Sequence, residues 1–409
     1  MRWRSVFLIG LFVMTGLSAS ARAQDSALTK AAGPQYSAGG LHRFLLGREY
    51  RNLWTTPITL PVLQLCCDEG GLRPAGKTGG QQTNTLQLRN PERQSFFFRS
   101  IDKDPSAALP ADLRGTVAGK VVRDQTSSAL PAGPLVVAPL LDAAGVLHGK
   151  IRLVILPDDT LLGDFRPTFA GVMGTLEEGI GGHWGGALEI IKSDTLEART
   201  AAGPEDRVDA MAFLTARLMD VFVGDWDRHR DQWRWARFNE GPTRLWRPVP
   251  LDRDQAFVKY DGFLLAIARQ SVPQLVNFGP GYPKAVGAAW NGRDLDRRYL
   301  VSLEKTVWDS VARTLQAALT DSVITSAVAA LPSPHDKMKG SWLESALRRR
   351  RDHLAEAAER FYRLLSKEVD VHATNAAEVA VLVRESDGAV TVSLTSRDTA
   401  GSVPYFART

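Results

Sequence analysis

The order of patterned segments predicts an α+β fold. Strand-like runs gather between residues 58 and 156, helical periodicity dominates 204–222 and 297–367, and strand character returns at 379–395. A β-rich N-terminal part, a mainly helical C-terminal part and a short closing β-hairpin follow from that order. With 409 residues, 44% hydrophobic and 23% charged, the chain can bury two or three cores without staples.

Leu41 to Trp54 spaces apolar residues at 41, 44, 45 and 54 between charges, as a short amphipathic helix does. Ile58 to Leu65 reads as a strand, and Gly70 to Gly80 as a glycine-rich loop. Thr85 to Arg89 and Ser95 to Ile101 read as strands around the turn Asn90-Pro91-Glu92-Arg93. Leu113 to Gln125 reads as a helix, and Ile151 to Leu156 as a buried strand stopped by Pro157. The stretch 171–191 is rich in glycine and follows neither period. Pro204-Glu205-Asp206 supplies an acidic first turn for a helix with apolar residues at 208, 211, 215, 218, 219 and 222, ending at Gly224. Gln232 to Phe238 and Thr243 to Val249 form a hairpin. Residues 297–331 and 339–367 are mainly helical. Val379 to Glu385 and Val390 to Thr395 flank an Asp387-Gly388 turn; a lone hairpin of this kind needs support from the helices.

The start of the chain reads as a secretory signal. Arg2 and Arg4 precede an apolar stretch, Val6 to Leu17, too short to span a bilayer, and Ala21-Arg22-Ala23 is an A-x-A cleavage site. The expected product begins at Gln24, is exported to the periplasm or cell envelope, and carries no transmembrane helix. Residues 24–40, small and polar, read as a flexible lead-in. Cleavage removes three arginines and no acid, lowering the net charge from +5 to about +2. That is too weak for a nucleic-acid binder. The basic run Arg348 to Arg351 reads first as a solvated helix face, with a contact to anionic lipid or a partner as the alternative. The adjacent pair Cys66 and Cys67 argues against a disulfide scaffold and against a cysteine metal site.

Three segments carry chemistry. Gly71 to Thr78 matches the pattern G-x-x-x-x-G-K-T, but a P-loop needs a helix beginning at the Lys-Thr, and here Gly79-Gly80-Gln81-Gln82 and a β-like run follow. A glycine-rich loop between strands can instead cover phosphates from above. Gly224 to Trp233 packs three carboxylates, three cations and two tryptophans into ten residues behind an apolar helix. Such charges are costly unless they pair with one another or hold something. Val249 to Phe257 places Asp252 and Asp254 directly after a strand. The intervening hairpin would return Asp252 to Asp227, and two converging carboxylates call for a cation, with magnesium or manganese the natural choice.

These residues resemble a divergent kinase group that includes the HipA kinases and the secretory-pathway casein and xylose kinases. More closely, Phe98-Arg99-Ser100-Ile101-Asp102-Lys103-Asp104-Pro105, Leu113-Arg114-Gly115, the Gly224 to Trp235 stretch and Arg253 to Phe257 are similar to the kinase-like region of a set of bacterial envelope proteins. The resemblance implies a bilobal protein-kinase-like fold. Residues 41–170 would be the N-lobe with the Gly-rich loop, 171–369 the helical C-lobe, and 370–409 a β-hairpin extension. It implies Asp227 as the catalytic aspartate that orients or deprotonates the acceptor hydroxyl, Asp252 as the main metal ligand with Gln232 and Asp254 beside it, and Gly79 and Gly80 over the phosphates. Arg99 or Lys103 would neutralise those phosphates, with Asp124 as the acidic partner of that cation. The implied ligands are ATP or another nucleotide, Mg or Mn, and a hydroxyl-bearing substrate; association with the envelope or outer membrane is implied too. The sequence departs from the pattern where Asp225 replaces an Asn and where Gln232 is neutral. Export adds a tension, because ATP is scarce outside the cytoplasm. Two further readings therefore stand: a non-catalytic, pseudokinase-like binding or assembly module, and a metal-dependent phosphoester hydrolase using Asp227 and Asp252.

Overall fold

The computed structural model describes residues 26–78, 84–397 and 403–409. The signal segment, Gly79 and Gly80 lie outside them. Strand β1 (Ala27–Lys30) pairs antiparallel with β2 (Ile58–Pro61), and between them run α1 (Gly40–Leu46) and α2 (Arg51–Thr55). Much of the expected lead-in is thus structured, with Tyr36 buried edge-on to Trp54 at 5.1 Å between ring centres. The single helix expected over 41–54 is two, the first ending at Gly47.

The N-terminal sheet is built from β3 (Arg73–Thr78), β4 (Thr85–Arg89) and β5 (Ser95–Ser100), then, after α3 (Ala111–Arg114), α4 (Val117–Asp124) and α5 (Gly133–Ala143), from β6 (Ile151–Ile155) and, past α6 (Arg166–Phe169), β7 (Met173–Glu178). Its order is β3-β4-β5-β7-β6, antiparallel throughout. Lys77 and Thr78 sit in β3, paired with Leu86 and Thr85, so no helix starts there and the P-loop match is fortuitous. The period of two decides which side chains reach the cleft. Phe96 and Phe98 of β5 and Leu176 of β7 pack with Leu86, Leu88 and Phe169 in one small core. Arg99 and Thr175, directly opposite each other, and Glu177 project from the other face. The sheet continues past residue 170, since β7 belongs to it.

Next come β8 (Glu189–Lys192), α7 (Ser193–Ala202), β9 (Asp206–Val208), α8 (Ala210–Val223), β10 (Trp233–Arg237) and β11 (Arg244–Pro250). The strands form a second sheet, β8-β10-β11-β9. Asp206 is therefore in a strand rather than a first helical turn. The helix is capped by Asp209, which accepts from the Ala212 amide at 2.9 Å. Buried Asp206 accepts from Arg244 at 2.6 and 2.9 Å and from the Trp246 indole at 2.7 Å. Burial would raise its pKa, but the Arg244 and Trp246 hydrogen bonds outweigh it and hold the carboxyl below its ordinary value. A depressed acid stabilises the fold above its unfolded pKa, and that stabilisation is lost as pH falls through the folded value. Urea midpoints measured downward from about pH 5 should fall, and Asp206→Asn should flatten that acid limb while lowering stability at neutral pH.

The C-terminal helices are α9 (Phe263–Ala268), α10 (Ala285–Ala289), α11 (Arg293–Tyr299), α12 (Lys305–Ala318), α13 (Asp321–Val328), α14 (His335–Asp352) and α15 (Leu354–Leu365). They pack around α8 through Trp308, Leu315, Leu347 and Phe361, and α13 also meets α5 beneath the N-terminal sheet. The arginine run is only partly a solvated face. Arg350 is fully buried and donates to the carbonyls of Val221, Phe222, Gly279 and Gly281, at 2.6 to 3.0 Å. A cation on the orphan carbonyls at the end of α8 answers the helix dipole there. Burial pushes the Arg350 pKa down to about 10, which leaves it charged at neutral pH. The closing hairpin, β12 (Glu378–Arg384) and β13 (Val390–Ser396), gains a third strand, β14 (Phe406–Arg408). It docks through buried Leu394 and through the Thr409 amide on Glu304 at 2.9 Å. Cys66 and Cys67 are disulfide-bonded to each other, a bridge closing no loop and hence no scaffold. Among the described residues no helix is long and apolar enough to cross a membrane. An α+β architecture, β-rich first and helical later, is what the segment order predicts.

A charged cleft between the sheet and the helices

Helix α8 ends at Gly224, whose left-handed φ of 73° turns the chain sharply into the polar segment. There the charges divide by residue. Asp225 and Arg228 turn inward, with an Arg228–Asp225 contact of 2.8 Å. Asp227 and His229 face a cavity of about 570 Å³ between the N-terminal sheet and the C-terminal part. Asp227 accepts from the Asn291 side-chain amide at 2.8 Å.

The β10–β11 hairpin brings Asp252 to the same cavity, since Trp233 pairs with Pro250 and the Leu251 amide donates to the Gln232 carbonyl at 2.8 Å. Arg228 straps the two segments together by donating to the carbonyls of Leu251, at 2.6 Å, and Asp252. Asp252 itself sits at φ 46°, a left-handed conformation that is uncommon for a non-glycine residue and that aspartate tolerates better than most.

Cations crowd this carboxylate. Arg99 lies 3.9 Å from one Asp252 oxygen and Lys103 3.9 Å from the other, while Lys103 also pairs with Asp254. Burial would raise the Asp252 pKa, but Lys103, Arg99 and Arg228, with a Gln232 hydrogen bond, hold it below the usual carboxylate value. Arg99 donates to Glu177 at 3.0 Å from the neighbouring strand. Burial, with Asp252 close by, pushes Glu177 up against the pull of Arg99.

The expected pairing of Asp124 with Arg99 or Lys103 is not made. Asp124 ends α4 and accepts two hydrogen bonds from buried Arg51, at 2.5 and 2.8 Å, with His42 at 3.1 Å. Glu177 holds the position expected of Asp124. It was hidden because it lies in a strand, in the glycine-rich stretch that follows neither period. Arg228 and Asn291 also carry site geometry that the sequence reading did not assign. Arg228 was legible as the Arg of the D-R-H stretch. Asn291, on the loop between α10 and α11, gave no signal. Of the tryptophans, Trp233 and Trp235 are fully buried core, whereas Trp226 lines the cavity. His229 is half-exposed and its Nδ1 accepts from the Asp231 amide at 3.3 Å.

The donors around Asp252 suit a hard cation, because Asp252, Asp254 and Gln232 offer only oxygen and the Lys103 ammonium already stands between both carboxylates as a positive charge. Among the described residues no group of three or more His, Cys, Asp or Glu side chains is set to hold a metal. Phosphate or water oxygens would have to complete the shell.

Eleven chains of solved structures overlap this one, two of them as follows. One is a Helicobacter pylori proinflammatory kinase, CtkA, with 10% identity and a TM-score of 0.39, covering 74% of this chain and 98% of that one. The other is from the Shewanella oneidensis toxin–antitoxin complex of HipA, HipB and operator DNA, with 12% identity and a TM-score of 0.27, covering 73% of this chain and 68% of that one. Overlaps this loose carry no argument about activity. No family model and no curated protein matches the chain.

Proposed function

We propose that the chain is an exported, kinase-like phosphotransferase that moves a phosphoryl group from a nucleotide to a hydroxyl acceptor. One observation carries this reading: Asp227, Asp252, Arg99 and Lys103 line one cavity large enough for a small molecule. Phosphoryl transfer asks for little covalent help from a protein; it needs positioning, and positive charge where negative charge develops. Asp227 is placed to orient the acceptor hydroxyl and take its proton, with Asn291 fixing its carboxylate. Asp252 and Asp254, with Gln232, would hold Mg²⁺ or Mn²⁺, which when bound neutralises phosphate oxygens. Arg99, kept charged by Glu177 and Asp252, clamps phosphate from above. Lys103, which pairs with Asp254 and lies 3.9 Å from Asp252, would be available to do the same if those carboxylates held the ion.

A second reading is favoured by that same lysine. Its ammonium satisfies the two carboxylates without a metal, as a non-catalytic binding module requires. Thermal melts separate the two. A catalytic protein should be stabilised by nucleotide with Mg²⁺ or Mn²⁺, more than by either alone, by roughly 2–3 kcal/mol at a hundredfold excess over Kd. No shift with any common nucleotide and either metal would sink the phosphotransferase reading. Phosphate release without acceptor, abolished in Asp227→Asn, would instead mark a phosphoester hydrolase.

A further inference from the structure

Helices α1 and α9 lie side by side and hold large apolar side chains out of the core. Leu41 is 74% exposed, Phe44 61%, Phe263 50%, Leu264 45% and Ile267 50%. Phe44 and Phe263 stack with ring centres 5.5 Å apart and planes 12° apart, so the two helices present one continuous surface. Asp261 fastens the joint by accepting from the Arg48 amide at 3.0 Å. Single exposed apolar residues are ordinary, but a contiguous group anchored by two stacked phenylalanines marks an interaction surface.

Its border is positive. The Arg43 guanidinium donates to the Ala38 carbonyl and the Asn52 side chain, and that of Arg269 to the carbonyls of Tyr260 and Leu275; none of these is a carboxylate. Arg48 is exposed. Nearby, Lys259 and Lys339 share Glu49 and, with Asp261, balance in charge, so the positive border rests on the arginines.

We propose that the α1/α9 platform docks on an anionic lipid surface. Leu41, Phe44, Phe263, Leu264 and Ile267 enter the acyl boundary, and the arginines stay at the headgroups. A purely apolar partner, such as a second copy of the same patch, would bring the arginines together and desolvate them without counter-charge. A lipid surface supplies the anions and keeps them hydrated. Docking also aims the cavity, because Tyr260 and Leu275, both bound by Arg269, line its wall. The proposal goes beyond phosphotransfer and does not depend on it.

Cosedimentation of residues 24–409 with phosphatidylcholine vesicles, with and without phosphatidylglycerol, tests this. Binding is expected only with the anionic lipid and should fall at high salt. Phe44→Ser/Phe263→Ser, at an unchanged melting temperature, should weaken it by about tenfold or more, the worth of one buried aromatic side chain. Arg48→Glu, which alters only an exposed side chain, should weaken it too, so the test survives if the double variant fails to fold. Failure to sediment with anionic vesicles, equal binding to both vesicle types, undiminished binding by folded variants, or a dimer that the Phe44→Ser/Phe263→Ser change dissolves would each overturn the proposal.

Discussion

Asp227→Asn is expected to lower phosphotransfer by roughly 10²–10⁴-fold, the usual worth of a positioned general base, while leaving both the melting temperature and nucleotide binding close to those of the parent. Asp227 meets the rest of the protein through the Asn291 amide and its own backbone amide on Asp225, and an asparagine oxygen can still accept the first of these. What the amide cannot do is take a proton. Asp252→Asn should behave differently. Asparagine tolerates the left-handed backbone at this position, so the loop need not move. The change removes the one carboxylate shared by Arg99, Lys103 and Arg228, with a cost in stability of about 1–3 kcal/mol. It should also erase the metal-dependent part of the nucleotide-induced thermal shift. The pair of variants therefore separates chemistry from binding, through single-turnover transfer on one side and melts with and without Mg²⁺ on the other. Near-normal transfer by Asp227→Asn would remove Asp227 from its proposed role.

How much of this was legible depended on whether a local period or a long-range packing decided the outcome. The β4–β5 hairpin, α8 with its Gly224 stop and the β10–β11 hairpin show strong periods and plain turn residues, and the structure places them nearly where the pattern does. Strand β7 was illegible because it carries Gly174, normally a strand breaker. Yet a Cβ there would fall 2.4 Å from the Arg99 carbonyl, so the residue that hid the strand is one its pairing with β5 requires. Asp206 misled because an acid after proline is a good helix start; pairing of β9 with β11 and the Arg244 partner override that local preference. Arg350 misled in the opposite sense. Four consecutive arginines look solvated, and only the tertiary meeting of α14 with the end of α8 reveals a cluster of carbonyls waiting for one of them. In the site, the acids were readable because they flank a recognisable hairpin. Their neighbours Glu177 and Asn291 come from distant segments, and nothing local to either announces a partner.

The largest loss of stability should come from a residue that never faces the cavity. Behind the cleft, Arg217, Arg228 and Arg253 meet Asp220, Asp225 and Asp296, all six buried. Arg217 grips Asp296 at 2.7 and 2.9 Å and Asp220 at 2.7 Å, and Asp220 also takes Arg253. Burial opposes the Arg217 charge, but Asp296 and Asp220 outweigh it and raise its pKa. The six charges cancel. Asp220→Asn breaks that balance, leaving three buried cations against two acids, and among the described residues Arg253 has no other carboxylate closer than Asp225 at 4.0 Å. An uncompensated buried charge costs about 3–5 kcal/mol, several-fold more than removing an exposed ion pair of similar geometry. The urea midpoint should fall accordingly. Replacing a matched pair by apolar residues, as in Arg217→Met/Asp296→Leu, should cost less than Asp220→Asn alone, because it deletes a charge of each sign. The damage should also reach the cleft, since Arg228 belongs to this cluster and its other bonds hold Leu251 and Asp252. Asp220→Asn should therefore weaken metal-dependent nucleotide stabilisation even at temperatures where the fold is intact. An unchanged urea midpoint in that variant would mean that the cluster does not act as one balanced unit.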